Sequence, residues 1–280
     1  MIDLHTHSNC SDGSMTPREL VLHAKKSGLF AIALTDHDTT DGIEEALAVG
    51  AEVGITVIPG VEFSTEEVKQ VHILGYCFDY RNAELQAAFA KQQAERIGNF
   101  EKYLQKFSES GFPMTKEEVL FHAPSGHVGR AHYAKVMMDK GYVSSVKEAF
   151  DRYLAIGMPL YIKREVMEPS EAISLIHKAG GLAFFAHPHQ TKLPDDELFA
   201  LMSRLKDAGL DGIEGYYSEY TPEMGEKFRS WAKKLDLMLS GGSDFHAEMK
   251  PHIKIGTGTD NNLCVPDELL DLIQKRTKNK

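Results

Sequence analysis

The feature that most constrains the fold is a repeated alternation of short apolar runs with helix-like stretches. The runs "LFAIALTDHD", "GITVIPGVEFS" and "VHILGYCF" predict strands. The intervening "TPRELVLHAKKSG" and "TDGIEEALAVGAEV" predict helices that begin at capping residues, Thr16 in the first and Thr40 with Asp41 in the second. These helices are expected to end near Gly28 and Gly54. Alternating strands and helices predict an α/β fold with a mostly parallel sheet or barrel and right-handed crossovers.

A helical insert interrupts this pattern between about residues 82 and 153. The segment contains "ELQAAFAKQQAERIGNFEKYLQKFSESG", whose apolar residues recur at helical spacing up to Gly111, and no core-type strand. The strand-helix pattern then resumes at "PSEAISLIHKAGGLAFFAHPH" and continues to a final helix, "PDELLDLIQKRTK". We therefore expect a barrel domain formed by residues 1–81 and 154–280, with the helical insert 82–153 contributing to a substrate pocket.

Composition excludes several classes of partner. A chain of 280 residues suits a single α/β barrel, and its formal net charge of −10 argues against a broad surface for nucleic acid or membrane. No apolar run approaches the ~18 residues of a membrane span, and the start lacks the order of a signal peptide. The three cysteines, Cys10, Cys77 and Cys264, contain no CxxC pair and do not suggest disulfides or a thiolate zinc site. These observations predict a cytoplasmic protein without an obligate protein partner.

The first strand carries a pair of histidines. In "IDLHTH", Ile2 and Leu4 alternate with Asp3 and His5, which indicates a strand. His5 and His7 leave the same face of that strand, because successive side chains point to opposite sides. Two imidazoles placed in this way can hold one metal ion, although a lone HxH pair also occurs on surfaces and in cores. The positions of the remaining polar residues decide whether His5 and His7 bind a metal ion or are ordinary surface or core histidines.

Further metal-ligand residue types gather at the carboxyl ends of the predicted strands. They are Asp36, His37 and Asp38 after "AIAL", Glu62 after "TVIPGV", His187 and His189 after "LAFFA", Glu214 in "GIEG", and Asp244 and His246 after "LMLSGG". His72 opens "VHILGY" instead of closing it. In α/β barrels the chemistry lies at the carboxyl-end face, where loops from several strands converge. The pattern therefore favours a metal site over simple packing.

Imidazole and carboxylate ligands suit Zn²⁺, Mn²⁺ or Fe²⁺, and such ions activate water for hydrolysis at phosphorus. Serine or cysteine catalysis is less well supported, since the chain has no GxSxG motif and Cys10 has no evident partner. A metal-dependent hydrolase is the expected class.

The motifs "DLHTHSNCSDGSMTP", "ALTDHDT", "IPGVEFS", "VHILGY", "AHPH" and "GGSDFH" resemble those of the polymerase and histidinol phosphatase (PHP) family of metal-dependent phosphoesterases. The resemblance spans nearly the whole chain. It is closest to the branch of 3′,5′-nucleoside-bisphosphate phosphatases and 5′-to-3′ exoribonucleases. It implies a distorted (β/α)7 barrel of the TIM type with a trinuclear metal centre.

The resemblance also implies which side chains hold the ions. One ion would be held by His5, His7, Glu62 and Asp244, a second by Glu62, His72 and His187, and a third by Asp12, His37 and His246. Two to three divalent ions of manganese, iron or zinc are therefore expected. Some family members have histidine where this chain has Asp12, so the occupancy of the third site is open.

Several other residues receive catalytic or substrate-binding roles as expectations. His187 or His189 could assist proton transfer, and Asp36 and Asp38 are expected to orient the ligands. In the resembling phosphatases the segments that correspond to "GRAH" and "YIK" hold a second phosphate. This correspondence assigns substrate contacts to Arg130 and Lys163, with His132 and His127 beside Arg130.

The expected function is hydrolysis of a phosphate monoester of a small nucleotide, such as a nucleoside 3′,5′-bisphosphate, with extension to the 5′ ends of short RNA. A phosphatase for a metabolite monoester such as histidinol phosphate is the alternative within enzymes. A non-catalytic metal-binding domain is the alternative from another class. The metal and the oligomeric state are left open by the sequence.

Overall fold

A computed structural model describes residues 1–65, 70–123, 128–163 and 166–278. Seven strands form one sheet in the order of the chain. The strands are β1 (Ile2–Thr6), β2 (Ala31–Leu34), β3 (Thr56–Ser64), β4 (His72–Tyr76), β5 (Leu182–Phe185), β6 (Gly212–Tyr217) and β7 (Met238–Gly242). The sheet nearly closes on itself, because His7 N–H donates to the Phe245 carbonyl at 2.9 Å and Asp244 N–H donates to the His5 carbonyl at 2.9 Å. The predicted α/β barrel is confirmed.

Strand direction differs from a uniformly parallel barrel at one place. β1, β2 and β3 are parallel to one another, as are β5, β6 and β7, whereas β4 is antiparallel to both β3 and β5. The first residue of β4, His72, pairs with Ser64 at the end of β3. The start of β4 therefore lies at the edge of the sheet where the other strands end, which explains why a strand-opening histidine belongs with strand-closing ones.

Ten α-helices accompany the sheet within the described residues. They are α1 (Pro17–Lys26), α2 (Ile43–Val53), α3 (Ala83–Glu109), α4 (Lys116–His122), α5 (Arg130–Asp139), α6 (Val146–Ala149), α7 (Pro169–Lys178), α8 (Asp195–Asp207), α9 (Pro222–Lys234) and α10 (Glu268–Lys278). A π-helical turn, Phe150–Leu154, continues α6. None of the helices in the described part of the chain is both long and apolar enough to cross a bilayer.

Helix boundaries follow the predicted signals in most places. Thr16 caps α1, and its side chain and that of Glu19 form a reciprocal capping box. Gly54 ends α2 with a φ of 67°, a conformation that glycine adopts at little cost. The prediction of Thr40 and Asp41 as caps of α2 is wrong, since the residue at the cap position is Gly42 and no side chain caps the helix.

Apolar packing closes the amino-end face of the barrel. Buried apolar residues from the starts of several strands, including Ile2, Ala31 and Leu182, form one cluster with Leu269 and Ile273 of α10. α10 thus covers the amino-end face of the parallel strands. The carboxyl-end face is left for the loops and the insert, and this is where a site can form.

The helical insert has an apolar core of its own. Phe107, Tyr133 and Val119 belong to a buried cluster that extends to Leu160, whereas the start of α3 packs through Leu85 in the barrel cluster. The division of the chain at residues 82 and 153 stays a prediction. The separate core means that the insert can be perturbed without removing barrel contacts.

We expect Phe107→Ala to lower the free energy of unfolding by about 3–5 kcal/mol, because the buried ring leaves a cavity. Phe107 is 0% exposed and stacks on Tyr133 with ring centroids 5.5 Å apart. Phe121→Ala is the matched control, since that ring is 79% exposed, and it should cost less than about 0.5 kcal/mol. Urea unfolding measures both, and similar losses for the two variants would contradict this account of the insert core.

Candidate metal centre

The structure brings the predicted ligands together at the carboxyl-end face of the barrel. Within the described residues, three groups of side chains could each hold a cation, with ligand atoms within 4.8 Å of one another. The groups are His5, His7, Glu62 and Asp244; His7, Asp12, His37 and His246; and His37, Glu62 and His72. The first equals a predicted set, and the second contains another together with His7. His5 lies within β1, and Glu62 lies within β3, whereas the sequence placed Glu62 after its strand.

Glu62 lies at the middle of the cluster. One of its oxygens, Oε2, is 3.0 Å from His5 Nε2, 3.2 Å from His7 Nε2 and 3.4 Å from His37 Nε2. Its other oxygen, Oε1, is 2.8 Å from both His72 Nδ1 and His187 Nε2. The geometry gives each carboxylate oxygen a separate set of imidazoles, as a carboxylate that bridges two ions would need.

Asp12 and Asp244 flank this centre. Asp12 Oδ1 is 3.1 Å from His246 Nε2, and Asp12 Oδ2 is 3.9 Å from His37 Nε2. Asp244 Oδ1 is 3.2 Å from His7 Nε2 and 3.5 Å from His5 Nε2. Both oxygens of Asp12 and Oδ1 of Asp244 therefore face imidazole nitrogens.

Charges within the cluster shift its pKa values in opposing directions. Burial would raise the pKa of the Glu62 carboxyl, but the imidazoles of His37 and His5 outweigh it and hold that pKa well below its usual value. For Asp244, burial is likewise outweighed, chiefly by Lys250. Burial lowers the pKa of His37 to about 4, against the effect of Glu62. Charged carboxylates and a neutral imidazole are the forms that bind divalent cations.

The types and positions of the donor atoms in the structure fit divalent metal ions. Five imidazoles converge on the single carboxylate of Glu62, and this number is larger than the carboxylate needs to satisfy its hydrogen bonds. The buried Nδ1 atoms of His7 and His187 have no hydrogen-bond partner among the described residues. A purely structural polar cluster satisfies such atoms, whereas nitrogen and oxygen donors that converge in this way suit Zn²⁺, Mn²⁺ or Fe²⁺.

Three residues support the ligands, and two of them, Tyr217 and Lys250, were not found from the sequence. Glu214 Oε1 is 2.9 Å from His5 Nδ1, and Glu214 Oε2 accepts the main-chain N–H of His187 at 2.8 Å. Tyr217 and Lys250 donate to Asp244 Oδ2 at 2.7 and 2.6 Å, which leaves Oδ1 facing His5 and His7. The sequence placed Glu214 among the metal-ligand residue types at the strand ends but gave it no supporting role. Nothing in the spacing of Lys250 or Tyr217 marked them as partners of Asp244.

Two of the cluster residues have left-handed backbone conformations. His187 has a φ of 30° and Asp244 a φ of 57°, values that side chains other than glycine rarely adopt. Such strain persists where the surroundings hold it in place, and it concentrates at functional sites. Both residues follow strands, so the sharp turn directs each side chain back over the end of the barrel.

The predicted orienting and proton-transfer residues occupy different positions. The Asp36 carboxylate accepts from Ser8 and Ser11 and so fixes the loop that carries Asp12. Asp38 accepts the main-chain N–H of Ser64 at 2.8 Å, beside the end of β3. His189 lies with Nε2 3.5 Å from Glu219 Oε2. Both residues hold the backbone of the central Glu62: its N–H donates to the Asp36 carbonyl at 3.2 Å, and its carbonyl accepts the Asp38 N–H at 3.0 Å.

The predicted substrate residues separate into three environments. Arg130 lines a pocket of about 240 Å³, the small pocket, together with Asp12, His37 and His72. Lys163 is exposed and does not line the small pocket. His132 is buried and its Nδ1 accepts the Gly129 N–H at 2.9 Å, so it holds the start of α5 beside Arg130. His127 lies outside the described residues.

Cys10 does not have the surroundings of a nucleophile. Burial, with Asp36 nearby, raises the pKa of its thiol to about 12. A raised thiol pKa keeps the thiol protonated at neutral pH, and only the thiolate attacks. We expect iodoacetamide at pH 7.5 to modify the exposed Cys264 well before Cys10, with little loss of activity. Mass spectrometry of partly alkylated protein measures the order, and faster reaction at Cys10 would contradict it.

Comparisons with known proteins agree with this geometry. The model of the PHP domain matches residues 3–164. A "5′-3′ exoribonuclease" of Haemophilus influenzae is 39% identical over 245 residues, which cover 87% of this chain and 89% of that protein. A "3′,5′-nucleoside bisphosphate phosphatase" of Chromobacterium violaceum is 32% identical over 248 residues, which cover 88% of this chain and 87% of that protein. A solved structure of a metal-dependent phosphoesterase from Bifidobacterium adolescentis superposes with a TM-score of 0.88 at 30% identity, covering 98% of this chain and 96% of the other.

Proposed function

Because this chain belongs to the PHP domain family, we propose that it hydrolyses nucleoside 3′,5′-bisphosphates to nucleoside 5′-monophosphates and phosphate. The family and the solved relatives make the chain a metal-dependent phosphoesterase. The observation that carries the choice of substrate is that Arg130 lines the same small pocket as Asp12, His37 and His72. A substrate with one phosphate at the metal centre can therefore present a second anionic group to Arg130.

Arg130 has the features of a phosphate-binding residue. It is the first residue of α5, where the helix amino-terminus favours an anion. Its guanidinium lies over the ring of Tyr161 at 5.5 Å and that of Phe150 at 6.0 Å. The two rings restrict the guanidinium, and its Nη1 donates to the Leu154 carbonyl at 3.4 Å. A planar guanidinium held in this way is suited to bidentate contact with a phosphate.

The metal centre would bind its ions through the nine predicted ligands. These are His5, His7, Asp12, His37, Glu62, His72, His187, Asp244 and His246. We propose two to three ions of manganese, iron or zinc, because the nitrogen and oxygen donors accept each of these. When bound, such ions make water a stronger nucleophile and neutralise the charge that develops on the phosphate oxygens.

The chain's own residues prepare the ligands for this reaction. Glu214 holds His5 with its Nε2 facing Glu62 and Asp244, and Tyr217 with Lys250 holds the second oxygen of Asp244. These contacts fix ligand orientation before substrate binds, which lowers the reorganisation needed during the reaction. We assign to His189 the return of a proton to the leaving oxygen, supported by Glu219 at 3.5 Å from its Nε2.

Two other functions remain as alternatives. A 5′-3′ exoribonuclease activity is favoured by the name of the relative from Haemophilus influenzae, and the bond broken would be the same. Hydrolysis of a metabolite monoester such as histidinol phosphate would use the metal centre but give Arg130 no second phosphate. A metal-binding domain without activity is disfavoured, since the nine ligand positions are all filled by residues able to bind metal.

The test is phosphate release by manganese-loaded protein from three substrates side by side. These are adenosine 3′,5′-bisphosphate, adenosine 5′-monophosphate and histidinol phosphate. We expect kcat/KM to be highest for the bisphosphate, with adenosine 5′-monophosphate as the product. A preference for histidinol phosphate would refute the proposed substrate while leaving the metal centre intact.

A further inference from the structure

The barrel has a seam where its first and last strands meet. β1 and β7 stand at opposite ends of the strand order, and among the described residues no regular ladder pairs them. The backbone joins them through an isolated bridge between Thr6 and Phe245 and through hydrogen bonds beside that bridge. We call this junction, between residues 2–7 and residues 242–245, the seam.

The seam separates ligands that the same ion would share. His5 and His7 lie on one side of it and Asp244 on the other, and with Glu62 they form one ligand group. Asp244 Oδ1 lies 3.5 Å from His5 Nε2 and 3.2 Å from His7 Nε2. A regular ladder fixes the spacing of neighbouring strands at ~4.7–4.9 Å, which an isolated bridge does not do over the same length. Any opening of the seam therefore changes the distances between ligands of one ion.

The side chain of Asp3 supplies further bonds across the seam. Its Oδ1 accepts the main-chain N–H of Ser243 at 2.9 Å and that of His5 at 3.2 Å. Its Oδ2 accepts the Ser243 hydroxyl at 2.5 Å and the main-chain N–H of Gly256 at 2.7 Å. Ser243 directly precedes Asp244. One carboxylate thus holds the main chain at or beside a metal ligand on each side of the seam.

Close approach of the two strands depends on a glycine. A Cβ added at Gly242 would lie 2.8 Å from Asp3 Oδ1 and 2.4 Å from the main-chain nitrogen of His5. Both distances are shorter than a carbon atom can make without displacing its neighbours. A side chain at residue 242 would push the strands apart, so glycine at this position is what lets Asp3 reach Ser243.

Asp3 is not itself a ligand, and its burial is costly. Its side chain is fully buried, it belongs to none of the three ligand groups, and the four groups that donate to it are uncharged. A carboxylate buried among uncharged donors costs free energy. An apolar residue could fill the same space, but it could not hold two N–H groups from opposite sides of the seam at fixed distances.

We propose that Asp3 is a positioning residue of the metal centre. By joining Ser243 to β1, it sets the distance between His5 and Asp244 and with it the affinity for the ion that these two residues share. Side chains that orient metal ligands in this way change metal affinity when they are substituted. The inference rests on the metal centre of the proposed function, and its test does not need the proposed substrate.

The test is a titration of metal-stripped protein with Mn²⁺, in which the electron paramagnetic resonance signal measures the free ion. Asp3→Asn keeps the shape of the side chain, but its NH₂ group cannot accept the N–H donors that face it. We expect the dissociation constant of at least one bound Mn²⁺ to rise about 10–100-fold. At saturating Mn²⁺ the KM for adenosine 3′,5′-bisphosphate should stay within about twofold of wild type, since Asp3 does not line the small pocket.

Asp211→Asn is the matched control. The Asp211 carboxylate accepts the main-chain N–H of Ala183 at 2.9 Å and lies 2.7 Å from His177 Nε2, but it belongs to none of the ligand groups. The substitution should leave the affinity for Mn²⁺ unchanged even where it lowers the midpoint of urea unfolding. The comparison separates ligand positioning from a general loss of stability.

Ser243→Ala is a milder variant that keeps the test decisive if Asp3→Asn does not fold. It removes the hydroxyl that donates to Asp3 and keeps the main-chain donor. We expect the dissociation constant for Mn²⁺ to rise about threefold, as the loss of one hydrogen bond allows. In Asp3→Asn, adding Ser243→Ala should cause no further rise, because the two residues act through one contact.

Unchanged affinity for Mn²⁺ in both Asp3→Asn and Ser243→Ala would overturn the inference, as would an equal loss of affinity in Asp211→Asn. A wild-type protein that binds no Mn²⁺ would overturn the inference together with the proposed metal centre. Weaker Mn²⁺ binding in Asp3→Asn alone supports the inference even if wild-type protein releases no phosphate from the bisphosphate, a result that would refute only the proposed substrate.

Discussion

Glu62→Gln is expected to lower kcat/KM for adenosine 3′,5′-bisphosphate by at least about a thousandfold. Glu62 belongs to two of the three ligand groups, and its two oxygens face different imidazoles. Glutamine keeps the size of the side chain but removes the charge that both groups share. The substitution should therefore weaken two metal sites at once. Asp12 and Asp244 each belong to one ligand group, so a substitution at either should weaken one site.

The measurement combines steady-state kinetics with metal content by elemental mass spectrometry and a circular dichroism spectrum. We expect reduced metal content with an unchanged spectrum. Glu52→Gln is the control, because Glu52 is an exposed partner of Arg18 and belongs to none of the three ligand groups. Activity of Glu62→Gln within tenfold of wild type would refute the central role of this carboxylate.

Arg130→Ala is expected to lower kcat/KM for the bisphosphate by about a hundredfold or more, through loss of a charge-assisted contact to the second phosphate. The effect on a monophosphate substrate should stay below about threefold, since it has no second phosphate. Arg130→Lys should recover part of the loss, because a lysine keeps the charge but not the planar fork.

Two further variants separate binding from packing. Arg152→Ala in the same insert removes an exposed ion pair with Glu148. It should leave kcat/KM unchanged for both the bisphosphate and the monophosphate. Lys163→Ala should have a smaller effect than Arg130→Ala, because Lys163 is exposed and outside the small pocket. Equal losses of kcat/KM for the bisphosphate and the monophosphate in Arg130→Ala would contradict the proposal that Arg130 binds a second phosphate. They would favour a phosphatase for a metabolite monoester.

Much of the fold followed from local sequence patterns. Apolar runs and capping residues such as Thr16 predicted the strands and helices, because propensity and capping act over a few residues. The direction of β4 did not follow, since pairing with distant strands determines it. His72 was correctly noted as strand-opening, but only the antiparallel pairing with β3 explains its place in the centre.

The site was predictable where its residues lie in recognisable motifs. Contacts that depend on tertiary packing were not, and Lys250 and Tyr217 reach Asp244 from segments without a spacing signal. His132 is buried and its Nδ1 accepts the Gly129 N–H at the start of α5, and its expected contact with substrate stays a prediction. A histidine beside an arginine in sequence does not reveal which of the two side chains turns inward.

The most direct test of the account is phosphate release from adenosine 3′,5′-bisphosphate by protein stripped of metal with a chelator, before and after addition of Mn²⁺. We predict no release from the stripped protein and recovery of release, with adenosine 5′-monophosphate as product, once Mn²⁺ is restored. Full turnover by the stripped protein, or no turnover by the manganese-loaded protein, would contradict a metal-dependent bisphosphate phosphatase.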